Sequence, residues 1–237
     1  MYASISPTVG TQVYNDFNVT DTVQRQVLGT TITAVDEFWG AGKFMYCKST
    51  DAVLKGSVVM WDESYNLTLL PSTVTQGFCF GIAMAPAASG NYVWVQLEGR
   101  AVYKTNATVA ADGVLAIAAA GILGATATGK QVIGIRNRVS ATGTKTFTVS
   151  TQTNSSTLVC AAGYGGAFLG MALSGTGIPA SSFVAALDPD GKRIYMGSAI
   201  GTIDKLATAS GSITLTGTYT GYGSGMINNP TCMQIVT

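Results

Sequence analysis

Apolar and polar positions alternate in short runs along most of this chain. In "NYVWVQLEG" (Asn91 to Gly99), Tyr92, Trp94 and Gln96 fall on one face of an extended segment, while Val93, Val95 and Leu97 fall on the other. Both faces carry large side chains, so the run predicts a strand covered on each side. Runs of the same kind recur in "QVLGTTITAVDEF", "GKFMYCKS", "GSVVMWDE", "NLTLL" and "GFCFGIAMAP". Each is short, rich in β-branched or aromatic residues, and closed by Gly, Pro, Asn or Asp, which is the mark of an antiparallel sandwich or barrel. "APAASGN" reads as the turn between the last of these runs and "VWVQLEG".

The pattern divides the chain into three parts. Residues 1–25 hold neither period for long and read as an extended arm, with Tyr2, Tyr14 and Phe17 as candidate anchors on a partner. A segment folding back on its own domain has the same appearance. Residues 26–140 form a first β unit. Its Ala-rich stretch Ala107 to Ala127 is broken by glycines and threonines and reads as strand and loop, and "KQVIGIRNRVS" reads as its closing strand. Residues 141–237 form a second module, in which "ATGTKTFTVSTQTNSSTLVCAAG" is a strand pair or a linker. Four strand runs follow between Ala167 and Gly221, with Gly-Thr-Gly-Ile-Pro, Asp-Pro-Asp-Gly and Ser210-Gly211 as turn chemistry. The tail "NNPTCMQIVT" ends in a short strand free to pair with either unit. No helix longer than about two turns is required by this pattern, and the fold class is all-β.

Composition sharpens the picture. Charged residues make up 11% of the 237 residues, the net charge is +1, and glycine occurs 29 times. An ordinary soluble domain carries about 25% charged residues, so much of this surface is expected to be covered by neighbours. No basic stripe offers phosphates a grip, which argues against nucleic acid and anionic lipid as partners. "MYASISPTVG" lacks the basic and apolar regions of a secretory signal. "VLAIAAAGILGATATG" is shorter than the roughly 20 apolar residues of a spanning helix, so no membrane partner is expected. Cys47, Cys79, Cys160 and Cys232 include no CxxC pair and read as buried thiols behaving as small apolar side chains.

The sequence contains no histidine. Imidazole-based nucleophile activation, zinc ligation and acid–base catalysis are therefore unavailable. Asp36/Glu37 and Asp62/Glu63 are adjacent pairs, which point to opposite faces of a strand and form no dyad by themselves. "GAGKF" (Gly40 to Phe44) lacks the first glycine and the final hydroxyl of a phosphate loop. "DPDG" (Asp188 to Gly191) fits a type I turn better than a calcium loop. The sequons at Asn18, Asn66, Asn106 and Asn154 arise readily in a chain rich in Asn, Ser and Thr. No catalytic residue, metal ligand or cofactor is expected, and the chain is not expected to be an enzyme.

Two groups of short motifs carry a family resemblance. "VLGTTITAVDEFWGAGKFMYCK", "LKGSVVMWDE" and "GIAMAPAASGNYVWVQLEGRA" resemble the decoration, or cement, proteins of tailed-phage capsids. "GMALSGTGIPASSFVAALDPDGKRIYMGSAIGTIDKLATASGSITLTG" (Gly170 to Gly217) is similar to a small module of phage structural proteins with the pattern "GMxVSGTGIPxGTxVxxID". It departs from that pattern at Ser181, where a Gly is usual, and in a longer loop at Gly197 to Leu206. The resemblance implies a β-barrel or β-sandwich (β-tulip-like) domain followed by a small C-terminal Ig-like β-sandwich. It further implies a structural virion protein made in the host cytoplasm, which binds the capsid's outer surface as a homotrimer and bridges subunits of the major capsid protein. The alternative is a glycan- or receptor-binding module, for which Trp39, Trp61, Trp94, Tyr195 or Tyr222 would stack on sugar rings.

Overall fold

The computed structural model of the chain describes residues 2–233 apart from 5–13, 16, 18, 37–39, 74–78, 108, 126–129, 165–166, 189–190 and 200–201; the side chains of 2–4, 14–15, 36, 40 and 231–233 also lie outside that set. Among the described residues every regular element is a strand. The chain divides into two compact units, one of residues 2–141 with 220–237 and one of residues 142–219. The tail thus belongs with the larger unit, one of the two pairings its pattern left open, and the second module runs over 142–219 in place of the expected 141–237.

The larger unit holds β1 (Tyr2–Ser4), β2 (Tyr14–Asn15), β3 (Thr31–Asp36), β4 (Gly40–Ser49), β5 (Val58–Trp61), β6 (Asn66–Leu69), β7 (Gly81–Ala83), β8 (Tyr92–Lys104), β9 (Leu115–Ala119), β10 (Ile122–Ala125) and β11 (Gln131–Ile135). Its last strand, Tyr222–Met233, follows the second unit and is named β18 below. β4 pairs with β8, β8 with β7, β7 with β5, β5 with β6, and β6 returns in parallel to β4. These five pairings close a ring. Met45, Cys47, Val59, Leu67, Ala83, Val93, Val95 and Leu97 form one buried cluster drawn from all five strands, so the ring is filled by side chains.

A second ring shares β8. Its C-terminal half pairs with β18, β18 with β11, β11 with β9, and β9 with β10. A parallel bridge from Leu123 to Thr105, just past the end of β8, completes the circuit. Ala101, Tyr103, Leu115, Ile117, Leu123, Val132, Ile135 and Ile227 fill it. Alternation on β5 and β7 joins the two interiors: Val59 and Ala83 point into the first cluster, Val58 and Ile82 into the second. The double commitment of "VWVQLEG" seen in the sequence has this cause. Val93, Val95 and Leu97 fill the first ring, while Trp94 packs outside it with Phe17, Phe44 and Tyr46.

β8 changes partners at a bulge. Lys43 pairs with Glu98 and Phe44 with Gln96, which leaves Leu97 unpaired between them. Buried Gln96 spans the irregularity, its amide donating to the carbonyls of Glu98 at 3.1 Å and Arg100 at 2.9 Å. Gly99 follows with φ +102°, and an added Cβ there would lie 2.4 Å from the Ala41 carbonyl oxygen. Only glycine fits this crossing.

The smaller unit holds β12 (Thr142–Thr151), β13 (Thr157–Val159), β14 (Ala172–Ser174), β15 (Ser182–Leu187), β16 (Arg193–Gly197) and β17 (Gly211–Thr220), and β18 (Tyr222–Met233) then returns to the larger unit. The Thr/Ser-rich stretch left open between strand pair and linker is the pair β12 and β13, which are antiparallel with Ser150 opposite Val159. The six strands close in the order β12-β13-β16-β15-β14-β17. The expected two-sheet Ig-like sandwich is therefore a closed barrel here, an arrangement that pairs both edges of what would otherwise be an open sheet. Phe147, Val149, Leu158, Leu173, Val184, Ile194, Met196 and Leu215 are buried in this unit. Its turns follow the sequence chemistry: Gly191 N–H donates to the Asp188 carbonyl at 3.1 Å with φ +75°, and Ile178 N–H donates to the Gly175 carbonyl at 3.1 Å.

Candidate partner-contact surface

Residues 19–27 run along the larger unit as a strap. Phe17 anchors its start: the ring is fully buried, stacked on Phe44 at 4.1 Å and edge-on to Trp94 at 5.1 Å. Asp21 then bridges Tyr92 through two backbone bonds of 3.0 and 2.8 Å. The Asp21 carboxylate accepts from the Tyr46 hydroxyl at 2.8 Å and pairs with Arg25 Nε at 2.9 Å, and Arg25 N–H in turn donates to the Tyr46 oxygen at 3.3 Å. Burial pushes the Tyr46 phenol well above its ordinary range, so it stays protonated as the donor. Thr20 Oγ1 donates to the Pro86 carbonyl.

The exposed positions of this strap are Val19, Thr22, Val23, Gln24, Arg25 and Val27, so three valines stand out among polar side chains. Val19, Val23 and Val27 are exposed to 51, 72 and 75%. The strap's one acid and one base, Asp21 and Arg25, are spent on each other, so it presents three valines on a neutral, pinned backbone. Scattered exposed apolar residues are ordinary, but three of them on an anchored segment make it a candidate contact surface.

A second surface lies where β3, β4, β8 and β18 run side by side. Register places Thr33 beside Lys43, Lys43 beside Glu98, and Glu98 beside Asn228. This row faces solvent, whereas the adjoining row of Ala34, Gly42, Gly99 and Ile227 is buried. One step further, Val35, Ala41, Arg100 and Met226 are exposed again, Met226 to 63%. Lys43 Nζ sits 3.7 Å from Glu98 Oε1, and Asn229 Nδ2 donates to the same oxygen at 2.6 Å. Between the two exposed rows, with Gly42 and Gly99 among its lining, is an open groove of roughly 470 Å3.

The residues singled out in the sequence are dispersed. Phe17, expected as a partner anchor, is consumed in the chain's own core, where the arm folds back. Tyr2 and Tyr14 lie on paired strands, Tyr2 opposite Asn15 and Tyr14 opposite Ala3, and their side chains are outside the described residues. Of the aromatic candidates for sugar stacking, Trp94 is buried, Trp61 packs against the first ring's interior, Tyr195 donates to Asp188 Oδ2 at 2.9 Å, Tyr222 is half-buried, and Trp39 is outside the described residues.

The candidate chemistry resolves into structure. Asp62 caps the turn between β5 and β6, accepting from Ser64 N–H at 2.8 Å, Asn66 N–H at 2.9 Å and Asn66 Nδ2 at 3.0 Å. The Asn66 amide and these N–H groups hold its carboxyl below the usual range. Asp36 ends β3, with its side chain, like Glu37, outside the described residues. "GAGKF" is the start of β4, paired on both sides, and not a phosphate loop. Cys79 is exposed, against the expectation of buried thiols, whereas burial raises the Cys47 thiol to about 12 and the Cys160 thiol to about 11, so these two stay protonated at neutral pH. Among the described residues, no group of three or more Cys, Asp or Glu side chains is placed to hold a metal ion, and no helix is long and apolar enough to cross a membrane.

The valines of the strap were missed by a reading that weighed aromatics. Their signal was the spacing of four residues in an otherwise polar stretch, "VTDTVQRQV". Lys43, Glu98 and Met226 gave no sequence signal, because only register brings them together. Compared with known protein families, curated proteins and solved structures, the chain has no match.

Proposed function

We propose that this chain is a structural virion protein that binds the outer surface of an icosahedral phage capsid and bridges subunits of the major capsid protein, assembling there as a homotrimer. The larger unit would be the β-tulip-like domain that makes the capsid contact. The observation that carries this reading is the strap: Val19, Val23 and Val27 stand exposed on a backbone fixed by Asp21, Tyr46 and Phe17. A pinned apolar segment loses little conformational freedom on docking, and many weak copies on a lattice sum to a stable shell. The low charge of the chain and the resemblance of its β motifs to cement proteins point the same way. The glycan-binding alternative draws no support from the described rings named for it, since Trp61, Trp94, Tyr195 and Tyr222 are buried or half-buried.

The test is to add purified protein to capsids that lack it and measure co-sedimentation and the temperature of head rupture. Binding at fixed stoichiometry with a raised rupture temperature is expected. The triple change Val19→Ser, Val23→Ser, Val27→Ser is expected to abolish binding while the protein's own melting temperature is kept. A wild-type chain with no affinity for capsids would overturn the reading.

A further inference from the structure

We infer that the exposed face of β3, β4, β8 and β18 is a two-fold contact between copies of this chain. The face carries complementary features side by side. Lys43 and Glu98 are cross-strand neighbours at 3.7 Å, so a positive and a negative charge alternate at its centre. Met226, exposed to 63%, stands at the edge of the groove that Gly42 and Gly99 help to line, so a protruding side chain and a recess adjoin.

A surface with both a knob and a hole, and both a plus and a minus, is met in full by one with the same features in reversed order. A second copy rotated by half a turn supplies that order. Lys43 of each copy then faces Glu98 of the other, and each Met226 enters the other's groove. The charges are set for this. Glu98 is held by Asn229 at 2.6 Å as well as by Lys43, so little side-chain freedom remains to be lost on association. The Gln96 amide, tied to the carbonyls of Glu98 and Arg100, stiffens the backbone beneath. The face lies on strands paired on both sides, so association here adds no strand and relies on side chains alone.

The inference does not depend on the capsid reading and is tested on the full chain in solution. Sedimentation velocity is expected to give wild-type protein twice the mass of Lys43→Glu, of Glu98→Lys and of Met226→Ser. In the first two, like charges then face each other across the axis. Mixing Lys43→Glu with Glu98→Lys in equal amounts is expected to restore the doubled species with one copy of each, because every facing pair is again of opposite sign. An ion pair acting only within one chain is not rescued by mixing. Equal masses for wild type and the three variants, or a mixture that stays at the lower mass, would overturn the inference.

Discussion

Ser181 holds φ at +54° in the turn before β15, in the left-handed region where a Cβ crowds the backbone. Its neighbour Ser182 is fully buried and donates through Oγ to the Pro179 carbonyl at 2.7 Å, which fixes the turn and leaves Ser181 no escape. Glycine at this position removes the strain, so Ser181→Gly is expected to stabilise the smaller unit by about 0.5–1 kcal/mol, read as a raised melting temperature. No change or a loss on that substitution would mean that the turn relaxes differently. The sequence already flagged the position, since the module it resembles carries glycine there. Asp112 and Asn154 also have positive φ without any such flag, because what holds them is distant: Arg138 pairs with Asp112 at 2.7 Å, and Asn154 N–H donates to the Ala207 carbonyl at 2.8 Å.

At the scale of elements, the described part of the loop after β16 is tied down by a carboxylate. Asp204 accepts from Ser198 Oγ and Ser198 N–H, both at 2.6 Å, and these bonds hold its carboxyl below the usual range. Ile203 and Leu206 stand exposed beside it. A carboxylate whose pKa is lowered on folding contributes fully above its unfolded value of about 3.9 and ceases to contribute as pH falls through the lower folded value. Hydrogen exchange at the Ser198 amide, corrected for its intrinsic pH dependence, is therefore expected to show protection at neutral pH that falls away only in stronger acid. Asp204→Asn is expected to weaken the protection and remove that pH step; unchanged protection in the variant would refute the account. Strand existence and turn chemistry at this scale were legible because alternation and Gly/Pro punctuation are local. The strap was half legible. Its aromatic anchor was visible in the sequence, but whether Phe17 faced a partner or its own core depended on Phe44 and Trp94, which are remote in sequence.

For the whole molecule, all-β character was readable from strand spacing, while the way the strands close was not. Ring closure rests on pairings such as β4 with β6 and Thr105 with Leu123, whose register no local pattern encodes. The tail was equally undetermined until β18 was seen to pair with β8 from Tyr222 opposite Lys104 to Asn228 opposite Glu98. That pairing makes the larger unit discontinuous in sequence, with residues 142–219 inserted between its two parts. Gly221 N–H donates to the Ala141 carbonyl at 2.8 Å, and Tyr222 N–H to the same oxygen at 3.3 Å, so the two ends of the gap touch. Replacing 142–219 by a short Gly/Ser link is therefore expected to leave the larger unit folded, with a cooperative thermal transition and native protection of β8 amides. A chain cut after Tyr219 instead loses β18 and opens the second ring, and its larger unit is expected to lose that transition. Equal behaviour of the two truncations would refute the insertion.

The contact between Ala141 and Gly221 also makes the junction a socket. A foreign domain whose termini lie close together can be seated there without altering a single register of the double ring. On any assembly that the larger unit occupies, one graft at this point would repeat once per bound copy, which makes it the position at which to display an antigen or an enzyme.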